Sequence, residues 1–402
     1  MISIEFLSNK NLYNHFFILV CKCVYIILIV NIPFNNKESQ ILSKKITIKN
    51  EYNFPYVHSI YDIFNHIICQ NSILIFEPFQ YHYECTPGFS KYFIDLGYKV
   101  HIIMHNSGLT SFCSFEPINK IRFFIYNNIE EIKKHSRSLS IKFFKYNYIL
   151  IETANPYYFM VYKELNLLNI DHSFFVFHHL EYVISVPTEI KLRKNQIWSL
   201  GNFKNAVRIN PHYFGKFKIT EKNKITRFFI TSTIERNYNK LISAVEKFKD
   251  ENLKFHVNVV GKWNTFTIHN ISEKMRDHFT FKYNVSYSEL YNEVVKSDYI
   301  IINLDPNNEK DIPFKNTRIS GSVQLAYGFL KPVIINKDFA EIYNFNSNNS
   351  FIYDNDSFIT SMRQAINIGN NNYKKMQENL KLISNNIYED SLNNLKNCMS
   401  KL

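Results

Sequence analysis

The sequence predicts an α/β protein made of two doubly wound, parallel-sheet domains facing a cleft. Three observations predict it. From residue 72 onward, short runs rich in Ile, Phe and Val alternate with segments of helical period, as expected for strands covered on both faces by crossover helices. The alternation begins afresh after Pro211, which describes two sheets in tandem. With 402 residues, 46% of them hydrophobic, the chain can build two cores.

The first series opens with "SILIFEP" (72–78), a fully buried strand. "TPGFSKYFIDLG" (86–97) follows as a helix, with Thr86 as its cap, Pro87 in its first turn and Gly97 at its end. "YKVHIIMH" is the next strand and completes a βαβ unit. The strand "KIRFFIY", the helix "NIEEIKKHSRSL", the strand "YNYILIET", a helix from about Asn155 and the strand "HSFFVFHH" carry the domain to its close near Pro211. The second series repeats the plan: strand "ITRFFITST", helix "NYNKLISAVEKF", strands "KFHVNVVG" and "HFTFKY", helix "SYSELYNEVVKSD", strand "YIIINLD". Next come the run "RISGSVQLAYGFLKPVI" (318–334) and, from about Asn371, one or two amphipathic helices. The expected domains are therefore 71–211 and 212–402, two Rossmann-like units with a ligand cleft between the carboxyl ends of their sheets.

Residues 1–70 form an N-terminal extension. Its stretch 15–34 is long enough to cross a bilayer, but Lys22 interrupts it and no small-residue cleavage site follows. Spanning, lying in the interface and packing on the domain all stay open. If the stretch spans, Lys37, Lys44, Lys45 and Lys49 would keep the following side in the cytoplasm.

The net charge of +12 is matched by abundant Lys, Asn, Ile, Phe and Tyr and scarce Gly and Trp, as AT-biased codons would produce. With no arginine-rich arm or zinc-finger spacing, nucleic acid is not an expected partner. Six scattered cysteines lack a C-x-x-C pair and indicate neither a disulfide framework nor a zinc site. The doublet His178-His179 lacks the i, i+4 spacing of a zincin helix. A reducing cytosol is expected.

In order and residues, 72–395 resembles the GT-B-fold glycosyltransferases, in particular the large group acting on bacterial surface polysaccharides, with a group 1, family 4-like second domain. The resemblance rests on "FEPFQYHYECTPGFSKYFIDLGYKV", "RINPHYFG", "STIERNYNKLISAVEKF", "VNVVGKW", "NVSYSELYNEVVKSDYIIINL" and "SGSVQLAYGFLKPVI". It implies transfer of a sugar from a nucleoside-diphosphate donor to a glycan acceptor in surface-polysaccharide or lipopolysaccharide assembly, with retention of anomeric configuration and without a metal. The nucleotide sugar is then a co-substrate, no cofactor is needed, and the acceptor is a glycan or lipid-linked glycan at the cytoplasmic membrane face. A nucleotide-sugar epimerase can share this fold, and a non-catalytic sugar-nucleotide-binding subunit is a further alternative.

The Ser-Gly-Ser turn then acquires a mechanism. Ser320 or Ser322 caps a helix, Gly321 allows close approach, and free N–H groups with the helix dipole favour an anion. Gly328 is expected to end that helix and Pro332 to open the next strand. Relatives carry a glutamate on this helix and another acid eight residues earlier. In this sequence one register gives Gln324 and Asn316, the other Leu325 and Thr317, and neither supplies a carboxylate. Gln324 could meet ribose hydroxyls and Asn316 a sugar hydroxyl. Arg236 falls where the family has a lysine, with Lys240 one turn on, and would neutralise the leaving diphosphate. Thr231, Ser232 and Thr233 stand in for the family's missing glycine, and Gly261 is carried over as donor-binding. On the acceptor side, the loop "FQYHYECTPG" offers His82 and Glu84 for acid, base or hydroxyl-anchoring roles, and "FVFHHLEY" offers His178, His179 and Glu181.

Overall fold

The computed structural model describes residues 54–80, 82–169, 171–187, 190–232, 236–261, 271–354 and 357–402. Strands β1 (Val57–Ser59), β2 (Ser72–Glu77), β3 (Lys99–His105), β4 (Ile121–Tyr126), β5 (Tyr148–Ile151), β6 (Ser173–Val176), β7 (Ile197–Ser199) and β8 (Val207–Arg208) form one sheet. Its order is β1, β4, β3, β2, β5, β6, β7, β8. A second sheet contains β9 (Thr226–Ser232), β10 (Phe255–Gly261), β11 (Phe279–Tyr283), β12 (Tyr299–Ile302), β13 (Val333–Asn336) and β14 (Ser350–Tyr353), ordered β11, β10, β9, β12, β13, β14. Neighbouring strands pair in parallel throughout, as β2 does with β3 and β5, and β9 with β10 and β12. This is the expected architecture of two doubly wound sheets.

The strand composition accounts for the layering. All six residues of β2 are buried, so both faces of the sheet need a cover. Helices α1 (Thr86–Asp95), α2 (Ile129–Lys134), α3 (Ser136–Phe143) and α4 (Phe159–Glu164) belong to the first lobe. Leu74, Phe76, Ile149 and Ile151 share one core with Leu139 and Phe143 of α3 and Tyr162 of α4. Around the second sheet lie α5 (Asn239–Asp250), α6 (Tyr287–Lys296), α7 (Gly321–Phe329), α8 (Lys337–Ala340) and α9 (Phe358–Asn367). Phe228 and Ile230 pack towards Val245 of α5 and Met362 of α9, whereas Phe229 packs towards Val294 of α6 and Val323 of α7.

Four details differ from the sequence reading. The segment 128–139 is broken at His135 (φ −111°), whose ring sits against Tyr61 and Phe64. Cys85, one residue earlier than expected, caps α1; Thr86 is inside the helix and donates its hydroxyl to Glu152 (2.9 Å). Gly328 does not end α7. Leu330 closes that helix in the left-handed conformation (φ 54°), and Gly328 is needed because a Cβ there would lie 2.2 Å from Phe214 Cδ2 and 2.5 Å from the His212 carbonyl oxygen. Gly88 plays the same part in the first lobe, where a Cβ would fall 2.5 Å from the carbonyl carbon of Pro211. The short strands β1, β7, β8 and β14 and the helices α8 and α9 are not among the expected elements.

The last helix, α10 (Asn370–Met399), serves both lobes. Near its start, the Tyr373 hydroxyl donates to the Asp298 carbonyl (3.0 Å) and Gln377 accepts from the Thr220 amide (2.9 Å). Near its end, Ser391 accepts from the Asn210 amide (3.1 Å), Asn394 donates to the Arg208 carbonyl (3.0 Å) and the Met399 carbonyl accepts from the Tyr148 hydroxyl (3.4 Å). No helix among the described residues is long and apolar enough to cross a membrane. Residues 15–34 lie outside the described residues.

Candidate functional site

Sheet order reverses between β2 and β5 in the first lobe and between β9 and β12 in the second. At such a switch point neighbouring loops part, leaving a crevice beyond the carboxyl ends of the strands. A cleft of about 740 Å³ lies there, lined by residues that follow β2, β3, β6 and β7 on one wall and by the ends of β9 and β10 and the loops after β11 and β12 on the other.

The first wall carries His82, Glu84, His178 and His179. The His82 and His178 rings stack flat, centroids 3.8 Å apart, with Phe79 stacked on His82 at 5.6 Å. His178 is buried, and its Nε2 lies 3.1 Å from the Glu152 carbonyl oxygen. Burial, with His82 and His179 adding to it, pulls its pKa well below the usual histidine value, so the ring is neutral near pH 7. His179 is shifted the same way by burial and by Arg318. His82 Nδ1 is 3.7 Å from Glu84 Oε1, while Glu84 Oε2 accepts a 2.9 Å hydrogen bond from the Tyr287 hydroxyl of the opposite lobe. Beneath this wall, Glu77 ends β2, Glu152 directly follows the adjacent strand β5, and both are fully buried. Burial raises both carboxyl pKa values. Glu77 accepts from the Phe79 amide (2.5 Å) and the Thr153 hydroxyl (2.6 Å).

The second wall is built on the start of α7. Ser320 is the N-cap but makes no side-chain capping bond, so the first-turn N–H groups receive no acceptor from it. A Cβ at Gly321 would meet nothing within 4 Å. Ser322 is not a cap: its hydroxyl is 2.9 Å from that of Thr231. Gln324 is buried and lines the cleft, but its Nε2 points to Cys85 Sγ of the other lobe at 3.8 Å. Gly261 lines the cleft too.

Arg236 lines the cleft with its charge matched by Asp311, whose side chain is 3% exposed, and its guanidinium lies over the Phe314 ring at 5.1 Å. Asp311 also accepts from the Asp305 amide (2.9 Å). Lys240, Asn316 and Thr317 are not among the described lining residues. Asn316 closes the short 3-10 turn Ile312–Lys315, and the Thr317 carbonyl accepts from the Leu180 amide (3.0 Å). Thr233 and the side chain of Ser232 lie outside the described residues. Glu181, at the start of the 3-10 turn Leu180–Ser185, is engaged by Arg318, which does line the cleft.

Sequence reasoning gave no role to Arg318, Tyr287, Asn284 or Asn303, all of which line the cleft. For Arg318 a signal was available: a cation two residues before a helix N-cap opposes the dipole and calls for an acidic partner or an anion. Tyr287 directly follows Ser286, whose capping box with Glu289 fixes the start of α6. No group of three or more His, Cys, Asp or Glu among the described residues is placed to hold a metal ion.

No protein-family model matches the sequence. No curated protein matches it. Among solved structures the chain is similar to a glycosyltransferase from Rickettsia africae, at 15% identity, TM-score 0.45, covering 83% of this chain and 97% of that one. It is also similar to the Anabaena protein HepE in complex with UDP and glucose, at 9% identity, TM-score 0.48, covering 83% and 100%. A third is a Listeria monocytogenes protein assigned as a UDP-N-acetylglucosamine 2-epimerase, at 11% identity, TM-score 0.41, covering 77% and 91%.

Proposed function

We propose that the protein is a glycosyltransferase that moves a sugar from a nucleoside-diphosphate donor to a glycan acceptor, in the assembly of a surface polysaccharide or lipopolysaccharide. One observation carries the reading: the cleft joins a helix start without a side-chain cap on the second lobe to a cluster of three histidines and a glutamate on the first. The α7 N–H groups and dipole suit the donor diphosphate. Thr231 and Ser322 offer hydroxyls beside it, and Gln324 can reach a ribose only by giving up Cys85. Opposite, Glu84 and the stacked His82 and His178 can take a proton from an acceptor hydroxyl or steady the sugar. Leaving-group charge would be met by the helix dipole and the arginines without a metal, and the anomeric configuration would be retained. The enzyme would work at the cytoplasmic face of the membrane, where a lipid-linked acceptor is presented.

The test is a thermal-shift panel of UDP, GDP, CMP, dTDP and their sugar conjugates, followed by transfer assays with the donor that binds. A ligand at a hundred times its Kd adds about 2.7 kcal/mol of stability. One nucleotide hit and sugar transfer to a glycan are expected. Turnover of the sugar nucleotide without any acceptor would replace this reading with an epimerase, and no hit on folded protein would overturn it.

A further inference from the structure

The two arginines that line the cleft are both paired, but not equally. Asp311 holds Arg236 from a buried position and is itself anchored by the Asp305 amide. Arg318 is held by Glu181 in a more open pair, the two side chains 28% and 33% exposed. Its Nε (2.8 Å) and Nη2 both donate to the single oxygen Oε1, so the guanidinium fork is not matched oxygen for oxygen. The carboxylate gives the fork one oxygen only, whereas a phosphate offers it two and a charge-assisted fit. The main chain around the pair is fixed independently of it. His179 and Arg318 form an antiparallel bridge, and the Leu180 amide donates to the Thr317 carbonyl (3.0 Å). Either side chain can therefore turn while the lobes stay joined. Arg318 stands two residues before Ser320, beside the uncapped start of α7.

The geometry points to Arg318 as a phosphate ligand held in reserve: an incoming pyrophosphate group displaces Glu181 from it and leaves that carboxylate beside His179. This rests on the nucleotide-sugar reading of the same cleft and adds the residue that reads the phosphates. No covalent step is involved. The guanidinium exchanges one acceptor for another, and Glu181, now without its cation, faces His179 Nδ1, 3.6 Å from Oε1 in the unliganded arrangement. Phosphate binding on the second lobe is thereby felt by the acid–base wall of the first.

The test is calorimetric titration of the full chain with inorganic pyrophosphate and with UDP, for wild type, Arg318→Ala, Arg318→Lys and Glu181→Gln. Arg318→Ala should weaken pyrophosphate binding by about 10- to 100-fold, and Arg318→Lys should recover only part of that, since it restores the charge but not the fork. Glu181→Gln carries the sign that a merely structural clasp would not give. It should tighten pyrophosphate by about two- to fivefold, because the anion no longer has to displace a carboxylate. Unchanged or weaker binding in Glu181→Gln overturns the inference, as does unchanged binding in Arg318→Ala; should that variant not fold, Glu181→Gln and Arg318→Lys decide. If UDP binds wild type and the arginine variants alike, the inference fails and the glycosyltransferase reading stands. If pyrophosphate follows the expected order but no nucleotide sugar is used, the reading fails and the inference stands. No pyrophosphate or UDP binding to folded wild type overturns both.

Discussion

The two walls of the cleft are made of different chemistry. Among the described lining residues, every histidine and the carboxylate, Glu84, come from the first lobe, and both arginines come from the second, with hydroxyls, amides and a helix start. The two are wired together by side chains, Tyr287 to Glu84, Arg318 to Glu181 and Gln324 to Cys85, and by the main-chain bond from Leu180 to Thr317. On the proposed reading one wall exchanges protons and the other holds an anion, so damage to one should leave the other's task measurable.

The largest expected effect tests that separation directly. Glu84→Gln should lower the transfer rate by about 10²- to 10⁴-fold, the usual weight of a general base, while UDP affinity by calorimetry stays within a factor of a few. Loss of both together would merge the walls into one site. Next in size are Gly88→Ala and Gly328→Ala, one behind each wall, where added methyls would strike residues 211–214 between the lobes. Each should cost about 1–3 kcal/mol in urea denaturation, the range for overpacking a tight contact. Gly321→Ala, facing open space, should leave stability nearly unchanged and alter only ligand affinity.

Stability against pH should sharpen the comparison, because buried groups with opposite shifts lie in and beneath the first wall and, at His212, between the lobes. His178, and His212 at about 4, are depressed by burial. An unfolded chain binds their protons near pH 6.5 and the native one does not, so stability falls as pH drops below that value. Glu77 and Glu152 are raised by burial, so the native state keeps protons that the unfolded chain releases, and stability falls as pH climbs above the ordinary carboxyl range. A maximum between the two arms follows. Glu77→Gln should flatten the alkaline arm in thermal melts at pH 6, 7 and 8, and an unchanged slope would remove Glu77 as its cause. The smallest effect is expected from Ser322→Ala. It removes one neutral hydrogen bond to Thr231, about 1 kcal/mol, and a modest share of nucleotide affinity with it.

Much of this was legible in advance because parallel strands announce themselves. "SILIFE" and "YIII" are apolar on both faces, and no other context accommodates them easily. The ends of those runs then placed His82, Glu84, His178, Thr231 and the Ser-Gly-Ser turn near one crevice. The short strands β7 and β8, at one end of the first sheet, were hidden because two or three residues carry no period. Gly328 was misread because helix-ending and close approach select the same residue, and only the position of His212 and Phe214 tells them apart. The pairing of Arg318 with Glu181, 137 residues away, depends on how two lobes meet, which neither segment encodes alone.

The helix α10 adds a constraint of a different order, one of timing. Residues 391–399 bond to Asn210, Arg208 and Tyr148, so a chain leaving the ribosome in sequence has every strand of both sheets in hand before the first lobe receives its last partners. Domains generally fold as they emerge. Here three bonds of the earlier lobe await the last helix, and a ribosome that stalled after residue 390 would release a first lobe still lacking them.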